Sequence, residues 1–177
     1  MSVTIERANE LYVEEIIKAL EAGLPIHDDV TSNPVLQFDR KRTVLGHCMC
    51  RLTNNIKSNV RIFLSKYMLD TNEQEIRQVL AHELCHACER GKGHDEYFYH
   101  YARMLELAYG YNINRLASAE SSKLFREASG YAKKTNYQVK CDGCGQLISR
   151  NRMCKIIAHP ENYACGRCGG KFHPVTS

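Results

Sequence analysis

Residues 72–89 read NEQEIRQVLAHELCHACE, and this stretch decides how the chain is understood. Ile76, Val79, Leu80, Leu84 and Ala87 recur three and four residues apart, the spacing of one helical face. Asn72 is a helix-capping residue with Glu75 three positions on, as in a capping box. Gly91 and Gly93 bracket the far end. Inside this helix lies His82-Glu83-Leu84-Cys85-His86. Residues four apart stand one turn above each other on the same face. Both imidazoles therefore reach one Zn²⁺ at about 2.0–2.1 Å. Glu83 follows the first His by one residue, so it lies beside the metal without ligating it, where a general base for a water molecule belongs. The apolar flank Val79-Leu80-Ala81 is more than a solvent-facing His pair needs.

A catalytic zinc takes three protein ligands and leaves one position open. His94 is the leading candidate for the third. It lies eight residues after His86, across Gly91-Lys92-Gly93. Glu96, His100 and Glu106 are its rivals. Cys85 and Cys88 on the same helix, and Cys48 and Cys50 upstream, read as small core thiols. His27 and His47 read as ordinary satisfied or surface histidines.

Working outward, residues 4–22 have helical apolar spacing and stop at Gly23 and Pro25. Residues 26–34 read as a loop, 35–39 as a short strand, and 43–52 as a second strand with Gly46 a bulge or turn. Asn54, Asn55, Ser58 and Asn59 are turn residues. Residues 60–65 alternate with period two. Residues 95–109 form a helix ending at Gly110, with Phe98, Ala102, Leu105 and Tyr109 near one face. Residues 118–132 read as a further helix, polar enough to be a linker.

The tail has a different chemistry. Cys141-x2-Cys144 and Cys165-x2-Cys168, twenty residues apart, match the spacing of a four-cysteine zinc site. Four thiolates about 2.3 Å from the ion close such a site to water and make it structural. His159 and His173 are alternatives for one Cys, and Cys154 is a bystander. A module this small needs its metal to fold. Lys133, Lys134, Lys140, Arg150, Arg152, Lys155, Arg167 and Lys171 surround it, with Tyr137 and Tyr163 able to stack on bases. Contact with nucleic acid is the expectation they carry.

The whole chain of 177 residues carries a net charge of only +4. Residues 1–114 hold 13 Lys+Arg against 16 Asp+Glu, whereas residues 115–177 hold 11 against 4. An acidic front is thus joined to a basic back. Nine Cys is an odd count, which argues against a closed disulfide framework. With no signal-peptide pattern and no apolar run of membrane-spanning length, the expected setting is a reducing cytoplasm, off the membrane.

These residues resemble the SprT-like zinc metalloproteases, which include the eukaryotic protease Spartan. The resemblance spans most of residues 43–174. It rests on the strand VRIFLS at 60–65, the helix carrying VLAHELCHA, and Gly93-His94 with Phe98 four residues later, similar to the family's GHG-x-x-F segment. Asp95 stands where that segment has its second Gly. The four-cysteine ribbon resembles that of bacterial members. The resemblance implies an α+β, zincin-like domain, with a small sheet packed on the HExxH helix, followed by a zinc ribbon. The expected boundaries are 1–116 for the protease domain, 117–136 for a helical linker and 137–177 for the ribbon. It further implies one catalytic zinc on His82, His86 and His94 with Glu83 as the catalytic base, and one structural zinc on the four Cys. The implied activity is a monomeric protease's hydrolysis of DNA-bound or DNA-crosslinked proteins in a DNA-associated location. Two alternatives remain: a non-proteolytic DNA-binding or regulatory protein whose HExxH metal is structural, and a zinc peptidase without a nucleic-acid role.

Overall fold

The computed structural model describes residues 2–113, 122–131 and 137–175. The chain divides into two compact units, 1–131 and 132–177. The first opens with helix α1 (Ile5–Glu21), capped by the Thr4 hydroxyl, which accepts from Arg7 N–H. Its inner face buries Ala8, Leu11, Tyr12, Ile16 and Ala19, while Ile5 and Leu20 lie half exposed on another face. The segment expected as loop holds a short helix, α2 (Asp28–Thr31).

Three strands follow: β1 (Gln37–Asp39), β2 (Gly46–Thr53) and β3 (Ile56–Ser65). The sheet order is β1-β3-β2, with β1 parallel and β2 antiparallel to β3. Only Asn54 and Asn55 make the hairpin turn, both at positive φ (51° and 66°), which suits the tight primed turns of two-residue loops. Ser58 and Asn59, expected in the turn, belong to β3. Asn59 takes φ 53° where the β2–β3 register shifts between Met49 and Arg51. The irregularity therefore sits there and not at Gly46. The Val60 N–H next to it donates to the Asp29 carboxylate at 3.0 Å. Val60, Ile62 and Leu64 turn into the core, as their alternation predicts.

Helix α3 (Glu73–His86) carries HExxH. Asn72 caps it by accepting from Glu75 N–H at 2.9 Å. The capping box is not reciprocal, because the Glu75 carboxylate accepts from the Ser122 hydroxyl instead. The helix is tied to α1 by charge. Arg7 reaches Glu73, and Arg77 reaches Glu14 and Glu15, the last only 2 % exposed. Its apolar face (Ile76, Val79, Leu80, Leu84) packs in one core with α1, β3, and Phe98 and Leu105 of helix α4 (Glu96–Tyr109). Tyr109, expected inside, is partly exposed and donates to Glu21, while Tyr101 is buried. Gly110 closes α4 at φ 69°.

Within the stretch expected as a helical linker, the described part holds helix α5 (Lys123–Ser129). Phe125 is fully buried in the first unit's core and meets Tyr67 edge-on at 6.3 Å. One aromatic residue on a polar helix suffices to dock it, and composition alone hid this. Residues 114–121 and 132–136 lie outside the described residues.

The second unit has strands β4 (Tyr137–Cys141), β5 (Leu147–Arg150) and β6 (Phe172–Pro174) in the order β5-β4-β6, and a one-turn helix α6 (Lys155–Ala158). Its buried cluster is small: Val139, Cys141, Cys165 and Phe172. No helix among the described residues is long and apolar enough to cross a membrane.

Candidate active site and metal centres

Two segments bring the histidines together. α3 supplies His82 and His86 one turn apart. The loop after it supplies His94, held by Asp95, whose carboxylate caps α4 by accepting from Phe98 N–H at 3.1 Å and also accepts from Lys92 N–H. The His82 Nε2 lies 3.2 Å from that of His86 and 3.2 Å from that of His94. All three ligand atoms fall within 4.8 Å of one another. Nitrogens placed tetrahedrally about 2.0–2.1 Å from a zinc ion would be about 3.3 Å apart. The arrangement therefore fits one metal ion on three imidazoles. Glu96, His100 and Glu106, the rivals of His94, are not part of this group.

Phe98, which the sequence places on the inner face of α4 and in the segment resembling GHG-x-x-F, organises the three histidines. Its buried ring lies 4.5 Å from the His86 ring, 4.6 Å from His94 and 4.9 Å from His82, centroid to centroid. It is the platform on which the three imidazoles stand. Burial and the neighbouring His82 and His94 push the His86 imidazole down to about 3, keeping it in the neutral, ligating form.

Glu83 is 3 % exposed. Burial pushes its carboxyl up to about 8, opposed by a hydrogen bond from the Cys48 backbone on β2. Gly46 of the same strand lies so near that a Cβ there would stand 3.3 Å from Glu83 Cγ. Strand β2 thus holds the carboxylate from above while α3 carries it. A cleft of about 610 Å³ opens over these groups. One wall is β2, through Gly46, Cys48, Cys50 and Leu52; the other includes Gly91, Gly93 and His94. β2 is an edge strand of its sheet.

Among the remaining thiols, Cys85 and Cys88 are buried, as expected, and Cys48 is partly so. Cys50 is exposed and lines the cleft, correcting its core reading. It lies on the open edge strand, where position in sequence says little about cover. His47 stacks on Phe63 at 4.7 Å. The His27 side chain accepts from Asp29 N–H and meets the Lys57 carbonyl.

In the second unit, Cys141, Cys144, Cys165 and Cys168 form the other ligand group. Sulfur separations are 3.5 Å for Cys141–Cys168 and 3.6 Å for Cys144–Cys165. Four thiolates about 2.3 Å from zinc would be about 3.8 Å apart, so this donor set also suits one metal. Gly143 and Gly170 let the two turns close: a Cβ on either would come within 3.0 Å of a ligand sulfur. Cys154, His159 and His173 are outside the group; His173 pairs with Asp142 at 2.6 Å. Both groups can hold metal ions, and both are consistent with zinc. Lys140, Arg150, Arg152, Lys155, Arg167 and Lys171 are all exposed; Lys133 and Lys134 lie outside the described residues.

A family model described as SprT-like matches residues 6–117, which include all three histidines and Glu83. The chain belongs to the SprT-like family. Several relatives described as "Protein SprT-like" match over most of their length. That of Bacillus velezensis is 28% identical over 139 residues, covering 77% of this chain and 80% of the relative. That of Staphylococcus carnosus is 26% identical over 160 residues, covering 90% and 89%. That of Geobacillus kaustophilus is 29% identical over 152 residues, covering 85% and 86%. The longer alignments reach past the SprT-like match into the second unit.

Proposed function

We propose that this SprT-like protein is a zinc-dependent metallopeptidase of zincin type, that it hydrolyses peptide bonds of DNA-associated proteins, and that its ribbon contacts nucleic acid. The observation that carries the reading is the convergence of three imidazole nitrogens and one buried carboxylate on a cleft walled by a sheet edge. His82, His86 and His94 would hold the ion. When bound, zinc supplies Lewis acidity, polarising a carbonyl and making water more acidic. The chain's own residues do the rest. The edge of β2 can take an extended peptide by strand addition, fixing its backbone along the cleft. Glu83, the residue after His82 on α3 and held over the cleft by β2, would remove a proton from the attacking water and pass it to the leaving amine. Phe98 keeps the imidazoles oriented.

The nucleic-acid part rests on charge and on family resemblance. Six exposed cations decorate the described ribbon, and Tyr137 and Tyr163 are 45% and 37% exposed, open to stacking. Such binding weakens steeply with salt.

The test is cleavage of a DNA-bound protein by wild type and Glu83→Gln, with and without single- and double-stranded DNA, and with metal analysis of both. The variant should keep its zinc and lose about 10²–10⁴-fold in rate. Equal cleavage by both proteins refutes the mechanism. Absence of DNA binding even at low salt refutes the nucleic-acid part and leaves a plain peptidase.

A further inference from the structure

Lys57 is a strand residue of a type that normally faces water, yet it is only 7% exposed. Its ammonium donates to the carbonyl oxygens of His86 at 2.9 Å and Cys88 at 2.6 Å. Its own carbonyl meets His27 Nε2 at 3.1 Å. His27 N–H in turn donates to Ala87 O at 3.0 Å, and Glu89 N–H to Pro25 O at 2.9 Å.

These contacts replace a helix cap. The sequence pattern places the end of α3 near Gly91, but the helix stops at His86, with Ala87 as its C-cap in ordinary right-handed geometry. No left-handed glycine turns its last carbonyls back onto the helix. Carbonyls at a helix C-terminus need donors from elsewhere, and a cation there also matches the helix dipole. A buried ammonium, for its part, is tolerated only when hydrogen-bonded. The two requirements meet in one side chain, reaching over from β3.

His86 is the residue this affects. It is the last residue of α3, so the direction of its ring depends on how the final turn is held. His82 lies a full turn earlier, inside the helix's own hydrogen-bond ladder. His94 is placed separately by the loop that Asp95 anchors.

We propose that Lys57 is a positioning residue of the three-histidine centre: by binding the carbonyls of His86 and Cys88 it fixes the last turn of α3, and so holds the His86 imidazole in register with His82 and His94. This rests on the reading of those histidines as metal ligands. Lys57 acts through His86 and has no part in the proton transfers assigned to Glu83.

The experiment uses the full chain loaded with zinc, as wild type, Lys57→Met, Lys57→Gln and Lys57→Arg. Zinc release to a chromophoric chelator is followed well below the unfolding temperature, and the four-cysteine zinc serves as an internal reference in every sample. Loss of outer contacts that orient a metal ligand weakens metal sites by about 10–100-fold. Lys57→Met, or Lys57→Gln should the methionine variant not fold, is expected to release the histidine-bound zinc faster by that order. The cysteine-bound zinc should leave at the wild-type rate. Lys57→Arg, which keeps donors for both carbonyls, should restore most of the retention. With cobalt substituted for zinc, the visible d–d bands of the histidine site should change in Lys57→Met while the thiolate charge-transfer bands do not. Unchanged release and unchanged bands, with only a lowered melting temperature, overturn the proposal and leave Lys57 a support of the fold. A wild type that holds zinc only on its four cysteines overturns the reading of the three-histidine site, and the proposal with it.

Discussion

Replacing Gly46 by alanine tests the contact between β2 and the HExxH helix. A Cβ at this position would stand 2.8 Å from Val79 Cγ1, 3.0 Å from Phe63 O and 3.3 Å from Glu83 Cγ. Carbon atoms pack best at about 3.5–4.0 Å, so the Val79 contact is short by about 0.7 Å. Phe63 O belongs to β3, whose register with β2 resists movement. The helix must give way instead, carrying Val79 and Glu83 with it. Overpacking of this kind costs about 1–3 kcal/mol. At about 2–4 °C per kcal/mol for a chain of this length, Tm should fall by about 2–12 °C. Misplacing a reacting group by 1 Å can cost about 10²-fold in rate, so a smaller shift of Glu83 should lower kcat by about 10-fold or more. Zinc content should not change, because Glu83 is not a ligand in this reading. The assay combines a thermal melt by circular dichroism, peptide hydrolysis at saturating substrate, and metal analysis. Wild-type Tm together with wild-type kcat would show that β2 and α3 do not meet as described. A lower Tm with unchanged kcat would separate Glu83 from the reaction.

Phe98→Ala should cost about 3–5 kcal/mol by opening a cavity under the imidazoles; urea unfolding reads the loss, and a value under about 1 kcal/mol would argue against the platform. Chelation of the ribbon metal should unfold residues 137–175 while the first unit keeps its helices, because a hydrophobic cluster of four residues makes no independent core; amide NMR spectra before and after chelation report this. The third prediction concerns pH. In protein freed of metal, folded Glu83 keeps its proton up to about 8 while the unfolded chain has released it above about 4.5. The folded state then binds more protons across that window, so this group's contribution makes stability fall as pH rises from about 4.5 to about 8. Glu83→Gln removes that contribution, so the stability difference between the two metal-free proteins should drift across the window; urea midpoints that run in parallel would contradict it.

Much of the frame was legible because a single physical rule governed each part. Asn72 caps α3 where the apolar period begins, and Val60, Ile62 and Leu64 alternate because one face of β3 is covered. The four-cysteine spacing needs no tertiary information, since each pair is local. The misses arise where distant parts of the chain act on each other. Lys57 looks like any surface lysine until the end of α3 is placed against it. Phe98 has the spacing of a core residue, and only the loop carrying His94 turns it into a platform. Gly46 reads as an irregularity in a strand, whereas its small size answers to the closeness of Glu83. Phe125 gives α5 a buried anchor that an average over polar neighbours conceals.

The way α3 ends has a consequence for the order of assembly. The carbonyls of its last turn are met by Lys57, 29 and 31 residues away along the chain, and by the segment around His27, further still. Loop closure of this kind costs entropy before it returns contact energy. A chain in which the HExxH helix has formed but β3 and the segment around His27 have not docked therefore lacks a framed His86. A partly unfolded molecule carries the motif without the centre. The hydrolytic capacity proposed here would then be withheld until the whole first unit has closed.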